Sequence, residues 1–201
     1  MNAPAARLAA AITLLLAAPA FAGDVTTPPS PAYAAIAQLQ QRFANSTLDS
    51  RQLTTIFLGR IARIDQAGPT LRAVIETNPD ALQLAAHLDG ARTGSAAHGP
   101  LYGIPVLLKD NVDTGDRMLT TAGSLAQTGA PAPRDAGLVQ RLRKAGALIL
   151  GKTNLSEWAN FRSNHASSGW SGRGGQTRNP YELDRNPCGS SAARPPPWRR
   201  V

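Results

Sequence analysis

Apolar residues recur along this chain at helical spacing in four segments and form short apolar runs in three others. The helical segments begin near residues 33, 50, 81 and 135, and Ser50, Asp80 and Asp135 are the predicted N-caps of the last three. The apolar runs lie at residues 71–79, 104–108 and 148–150. Helices and strands in this order predict an α/β fold, in which helices cover a mixed β-sheet.

The first 22 residues have the three parts of a secretory signal peptide. Arg7 precedes an apolar stretch from Leu8 to about Ala18, and Ala20 and Ala22 are the small residues before a cleavage point. This stretch is too short for a membrane span. We therefore expect a periplasmic or secreted protein that starts at Gly23 and has no stable membrane anchor, the alternative being a buried N-terminal helix.

The formal net charge of +8 is a weak indication of a nucleic-acid partner. Four arginines lie in the first 22 or the last ten residues, and without them the charge falls to +4. No basic run is interleaved with aromatic residues, so we expect no nucleic-acid partner. The three histidines are scattered without metal-ligand spacing, and we expect neither a metal nor a cofactor. They are His87, His98 and His165.

Five stretches between Ser50 and Ser191 together resemble the amidase signature family of serine hydrolases. In chain order they read RIARIDQAGPTLRAVIETNPDAL, GPLYGIPVLLKDNVDT, TTAGS, AGALILGKTNLSEWA and GWSGRGGQTRNPYELDRNPCGSS. The resemblance implies the amidase-signature fold, with residues 23–191 as the N-terminal portion of its domain. It also implies hydrolysis of carbon–nitrogen bonds in a small-molecule or peptide amide by a Ser-Ser-Lys triad.

Lys109, at the end of the run 104–108, matches the catalytic base of the family. A free lysine has a pKa of about 10.4 and is protonated at neutral pH. A base must be neutral, and desolvation by Leu107 and Leu108 would lower the pKa of the amine. The alternative from the residues alone is an exposed lysine paired with Asp110.

Ser190 matches the bridging serine of the triad, and Ser191 is the alternative for that role. The resemblance implies a cis peptide bond between Gly189 and Ser190. Cys188 stands where the family has a glycine, and we interpret it as a tolerated small residue. Without the resemblance, both serines would be ordinary turn hydroxyls. Phosphate loops lie between a strand and the start of a helix, and the SGRGGQ stretch does not, so we do not interpret it as a phosphate loop. We expect it to shape the entrance of the substrate site, with Trp170 as one wall.

The final residues, AARPPPWRRV, depart from the resemblance. GC-rich codons for this tail encode GSAAAVAAG in a shifted frame, which is the run expected in the family. We therefore expect a frameshift just after Ser191, an aberrant tail over residues 192–201, and a truncated, inactive chain from which the nucleophilic serine is absent. A native Pro/Arg terminus is the alternative. Two other functions stay open: a non-catalytic remnant or binding module, and the glutamine-amidase subunit of a tRNA-dependent amidotransferase.

Overall fold

The computed structural model describes residues 30–92, 98–161 and 163–192. The predicted signal peptide and the tail from residue 193 onward lie outside these ranges. Within them, no helix combines the length and the apolar character that a membrane crossing requires.

A three-stranded mixed sheet lies at the centre, in the order β1-β3-β2. Strand β1 (Val74–Thr77) runs antiparallel to β3 (Leu148–Thr153), whereas β2 (Pro105–Lys109) runs parallel to it. The residues of β3 are all buried. Two short strands, β4 (Trp170–Ser171) and β5 (Gly175–Gln176), form a separate hairpin. This arrangement confirms the predicted α/β fold with a mixed sheet.

In the part of the chain that the structure describes, four α-helices pack around the sheet: α1 (Ile36–Ala44), α2 (Ser50–Arg60), α3 (Ala81–Ala91) and α4 (Gly137–Lys144). Helix α2 continues as a π-helical turn over Ile61–Gln66. Short 3-10 turns lie at Pro31–Tyr33, Leu125–Gln127 and Glu157–Asn160.

Alternating residues of β3 face opposite helices. Leu148 packs with Ala85 of α3, and Ile149 packs with Val139 of α4. Each fully buried aliphatic side chain of this kind contributes about 1.5–3 kcal/mol. A third cluster joins the N-terminal helices to the start of β2, and its members are Leu39, Phe43, Leu48, Leu53 and Ile104. Helices therefore cover both faces of the central strand.

Of the three predicted N-caps, only Asp80 lies at the N-cap position, and none of the three caps its helix through a side-chain hydrogen bond. Asp49, not Ser50, caps α2, because its carboxylate accepts the backbone N–H of Gln52 at 2.6 Å. The Asp80 side chain makes no capping bond and pairs with Arg117. The Asp135 carboxylate accepts the backbone N–H of Gly115 at 2.7 Å and also pairs with Arg143 of α4. Tertiary partners outcompete the local caps for both carboxylates.

Candidate active site

The side chains of Lys109 and Ser190 meet although 81 residues separate them in sequence. Lys109 is the last residue of β2, and its Nζ donates a hydrogen bond to Ser190 Oγ at 2.7 Å. Both side chains are half-buried. Ser191 is exposed and lies in a β-bridge with Leu155. Ser190 is therefore the serine that the structure brings to the lysine.

Backbone contacts with the segment that follows β3 fix the position of Ser190. The backbone N–H of Ser156 donates to the Ser190 carbonyl at 3.0 Å. Two residues on, the N–H of Ala192 donates to the carbonyl of Asn154 at 3.3 Å. Lys109 lies opposite Thr153 in the parallel ladder, so the lysine and the serine are both held against the same stretch of chain.

The Gly189–Ser190 peptide bond is cis. A Cβ at Gly189 would lie 2.3 Å from the hydroxyl oxygen of Ser156, which is far inside contact distance. The Ser156 side chain is fully buried and accepts the backbone N–H of Gly169 at 2.9 Å. Glycine is thus required at position 189 by the space available beside Ser156.

Burial lowers the pKa of the Lys109 amine, and desolvation is the cause. Asp110 does not pair with this amine. Its carboxylate accepts hydrogen bonds from the Thr121 hydroxyl and the Gly123 N–H, and it forms an ion pair with Arg173. The alternative of an exposed lysine paired with Asp110 is therefore wrong. A neutral amine within hydrogen-bond distance of a serine hydroxyl can accept a proton through it.

A second lysine, which sequence reasoning missed, is buried near the site. Lys152 lies in β3 and is fully buried; its Nζ donates to the Val112 carbonyl at 2.7 Å and to the Thr120 hydroxyl at 2.8 Å. Burial lowers the pKa of its amine, and surrounding carboxylates oppose that shift. A lysine separated from an apolar run only by Gly151 was the available signal, since such a residue is either at the end of a strand or buried with partners.

The other predicted residues lie away from the Lys109–Ser190 contact or stay untested. The His98 ring packs against Tyr102, with ring centroids 4.0 Å apart. Among the described residues, no three potential ligands cluster as a metal centre would require. Trp170 is partly exposed on β4, and its role as a substrate wall stays a prediction.

Comparison with known proteins identifies the class of protein to which this fold and its Lys–Ser pair belong. The family model described as Amidase matches residues 53–192. The chain belongs to the amidase family of hydrolases, and its α/β architecture is the amidase-signature fold.

Three similar proteins illustrate the range of the family. The solved structure of the native peptide amidase from Stenotrophomonas maltophilia shares 58% identity and a TM-score of 0.77, over 81% of this chain and 33% of that one. An Arabidopsis thaliana protein named a probable amidase is 48% identical over 79% of this chain and 31% of its own length. A glutamyl-tRNA(Gln) amidotransferase subunit from Symbiobacterium thermophilum is 39% identical over 78% and 30%. The chain spans about a third of the length of these relatives.

Proposed function

We propose that residues 30–192 supply the base and the bridging serine of an exported amidase that hydrolyses the carbon–nitrogen bond of a linear amide. The observation that carries this proposal is the 2.7 Å contact between Lys109 Nζ and Ser190 Oγ. The lowered pKa of the amine supports it, because a base must be able to lose its proton near neutral pH. The 58% identity to a peptide amidase supports a peptide amide as the substrate class.

In the proposed mechanism, a nucleophilic serine attacks the amide carbonyl, and its proton passes through Ser190 to neutral Lys109. The lysine then returns that proton through Ser190 to the leaving nitrogen, so that ammonia or an amine departs and an acyl-enzyme forms. Water then attacks the acyl-enzyme and gives a proton through Ser190 to Lys109. Return of that proton to the departing serine oxygen releases the acid and restores the nucleophile. Family resemblance puts the nucleophile beyond Ser190, outside these 201 residues, so we propose that this chain alone has no turnover.

A chimera tests the proposal. Residues 30–192 would replace the matched third of the Stenotrophomonas maltophilia peptide amidase, and ammonia release from an amidated dipeptide would be measured. We expect turnover by the chimera, none by the 201-residue chain, and a loss of about 10²–10⁴-fold on Lys109→Ala, since that is the usual contribution of a general base. Lys144→Ala, at an exposed lysine at the end of α4, is the matched control. An undiminished rate in a folded Lys109→Ala chimera would show that another group is the base.

Export is the second part of the proposal, supported by the three-part pattern of residues 1–22. Expression in a bacterial host with a periplasm, followed by fractionation and N-terminal sequencing, tests it. We expect a periplasmic protein that begins at Gly23, whereas an intact Met1 in the cytosolic fraction would refute export.

The amidotransferase subunits among the relatives support a second candidate, a glutamine amidase. Grafting residues 30–192 separately into the peptide amidase and into the Symbiobacterium thermophilum amidotransferase subunit compares the two functions, because the graft should support ammonia release best in the scaffold whose function it shares. Substrate binding by a folded chimera without ammonia release in either scaffold would favour the non-catalytic alternative.

A further inference from the structure

The turn of the β4–β5 hairpin places an arginine between two strand ends of the central sheet. Arg173 donates its backbone N–H to the Gly123 carbonyl at 2.8 Å. Its guanidinium forms ion pairs with Glu76 of β1 at 2.5 Å and with Asp110, which directly follows β2, at 3.3 Å. The Arg173 side chain is only 15% exposed, so both ion pairs are largely shielded from solvent. Removing one partner of a shielded pair is costly, because it leaves the other charge buried without compensation.

The glycines beside Arg173 allow this close approach. A Cβ at Gly172 would lie 2.9 Å from the Glu157 carboxylate, and one at Gly174 would lie 2.6 Å from the Asn154 side chain. The glycine-rich SGRGGQ stretch therefore has a physical explanation other than phosphate binding. Gly172 and Gly174 let the turn pack closely enough for the Arg173 guanidinium to reach Asp110, directly after β2.

Asp110 connects this guanidinium to the chain around Lys109. Its carboxylate is fully buried and accepts the Gly123 N–H at 3.1 Å, while its carbonyl accepts the backbone N–H groups of Thr121 and Ala122 at 3.0 and 2.9 Å. An ionised carboxylate without a cation would be costly at this depth. Arg173 satisfies that need, and it does so one residue away from the proposed base.

We propose that Arg173 is a positioning residue, which acts through Asp110 to hold the end of β2 so that Lys109 stays against Ser190 in its partly desolvated environment. This inference rests on the proposed function, in which Lys109 is the base. Other charged groups act on the same cluster: Glu76 pairs with Arg173, while Lys152 lies near Asp110, Asp113 and Asp116. Burial raises the pKa of Asp110, and Arg173 and Lys152 oppose that shift. Removal of Arg173 would leave the Asp110 carboxylate with fewer stabilising partners and would loosen the end of β2, which bears Lys109.

The test is the pH profile of Lys109 acetylation in the 201-residue chain, with acetic anhydride as the probe and mass spectrometry as the readout. The chain has three lysines, and exposed Lys144 provides the internal reference. Wild-type Lys109 should reach half-maximal reactivity at a lower pH than Lys144. In Arg173→Met that midpoint should rise by about half a unit or more, which corresponds to about a threefold loss of neutral amine at a given pH below it. Arg173→Lys should be intermediate, since it keeps the charge but loses the two-pronged contact.

Arg117→Met is the matched control, because it removes an arginine from an exposed ion pair with Asp80. It should leave the Lys109 midpoint unchanged. A lowered wild-type midpoint that does not move in folded Arg173→Met would overturn the role of Arg173 alone. A wild-type midpoint equal to that of Lys144 would overturn both this inference and the proposed base. If Arg173→Met does not fold, Arg173→Lys decides: an unchanged midpoint there refutes the inference, and a raised one supports it.

Discussion

Gly189 allows the sharpest prediction about how the site is built. A methyl group at this position would lie 2.3 Å from Ser156 Oγ, and that hydroxyl cannot move freely because it accepts the Gly169 N–H at 2.9 Å. We therefore expect Gly189→Ala to destabilise the protein through this single contact. The backbone at Gly189 is not in the left-handed region, so conformational strain does not add to the effect.

The expected size follows from the two ways in which the clash can be relieved. Forcing a methyl group into filled space costs about 1–3 kcal/mol. Displacing the Ser156 hydroxyl instead leaves the Gly169 N–H without its acceptor, which costs about 1–3 kcal/mol. Ser156→Ala alone should cost about 1–2 kcal/mol for the second reason. In the double variant, the nearest remaining atoms would lie 3.5 and 3.6 Å from the new methyl group, which are ordinary contacts. Gly189→Ala should therefore cost almost nothing once Ser156 is alanine.

Urea unfolding followed by tryptophan fluorescence gives the free energies for this double-mutant cycle. We expect a coupling energy of about 2 kcal/mol between positions 189 and 156. Gly129→Ala is the control, since no atom lies within 4 Å of its added methyl group, and it should change stability by less than about 0.5 kcal/mol. Additive effects of the two substitutions, or a Gly189→Ala variant as stable as wild type, would refute this account of the site.

Three further predictions concern charge and backbone conformation. Because burial lowers the pKa of Lys109, the native state binds fewer protons than the unfolded state between that lowered pKa and about 10.4, so stability should rise with pH across this window. Lys109→Met should lose this contribution in urea titrations at successive pH values, and an unchanged slope would contradict the shift. Cys188 has a φ of +63°, a backbone conformation in which glycine has no steric penalty. Cys188→Gly should therefore raise the free energy of unfolding by about 0.5–1 kcal/mol, whereas Cys188→Val should lower it. The reverse order in urea unfolding would count against the assigned conformation. Lys152→Met should lower the free energy of unfolding by about 3–5 kcal/mol in the same assay, because it removes the cation that buried acceptors and nearby carboxylates interact with. Lys144→Met should leave the free energy of unfolding nearly unchanged. Equal effects of the two substitutions would argue that Lys152 is not buried.

The strands were the most predictable part of the fold, because a buried strand needs an unbroken apolar run. The run at residues 104–108 coincides with β2 to within one residue, and the run at 148–150 is the first half of β3. The sequence did not reveal that β3 continues through Lys152 to Thr153. Lysine opposes strand formation in an apolar core unless its amine finds acceptors, and those acceptors come from residues 112 and 120. The pattern of apolar and polar residues around Lys152 contains no information about partners that lie 32 and 40 residues earlier in the sequence.

The helix caps failed for a related reason. Ser, Asp and Asn near a helix start favour capping only while no better partner is available. The Asp80 and Asp135 carboxylates instead pair with Arg117 and Arg143, and such a pair is also charge-assisted, so it competes with a capping bond for the same oxygens. Helix positions were predicted within a few residues, but the atoms that terminate them were not.

The site itself could be predicted only through family resemblance. No periodicity relates Lys109 to Ser190 across the 81 residues that separate them. Arg173 was visible as an arginine among glycines, yet its partners lie in β1 and after β2, which only the folded sheet brings together. Residues that act through tertiary contacts leave no local pattern.

Strand β3 is the common reference for both members of the Lys–Ser pair. It holds Lys109 through the parallel ladder and leads into the segment that holds Ser190 through backbone hydrogen bonds. Both neighbouring ladders shift register along β3: the β2 ladder shifts between Ile149 and Gly151, and the β1 ladder shifts between Lys152 and Thr153, one residue beyond the pairing of Gly151 with Thr77. A Cβ at Gly151 would lie 2.4 Å from the Glu76 carbonyl, so only glycine lets β1 approach. A larger residue would push β1 away from β3, the strand that aligns the base and the bridging serine, although Gly151 itself touches neither of them.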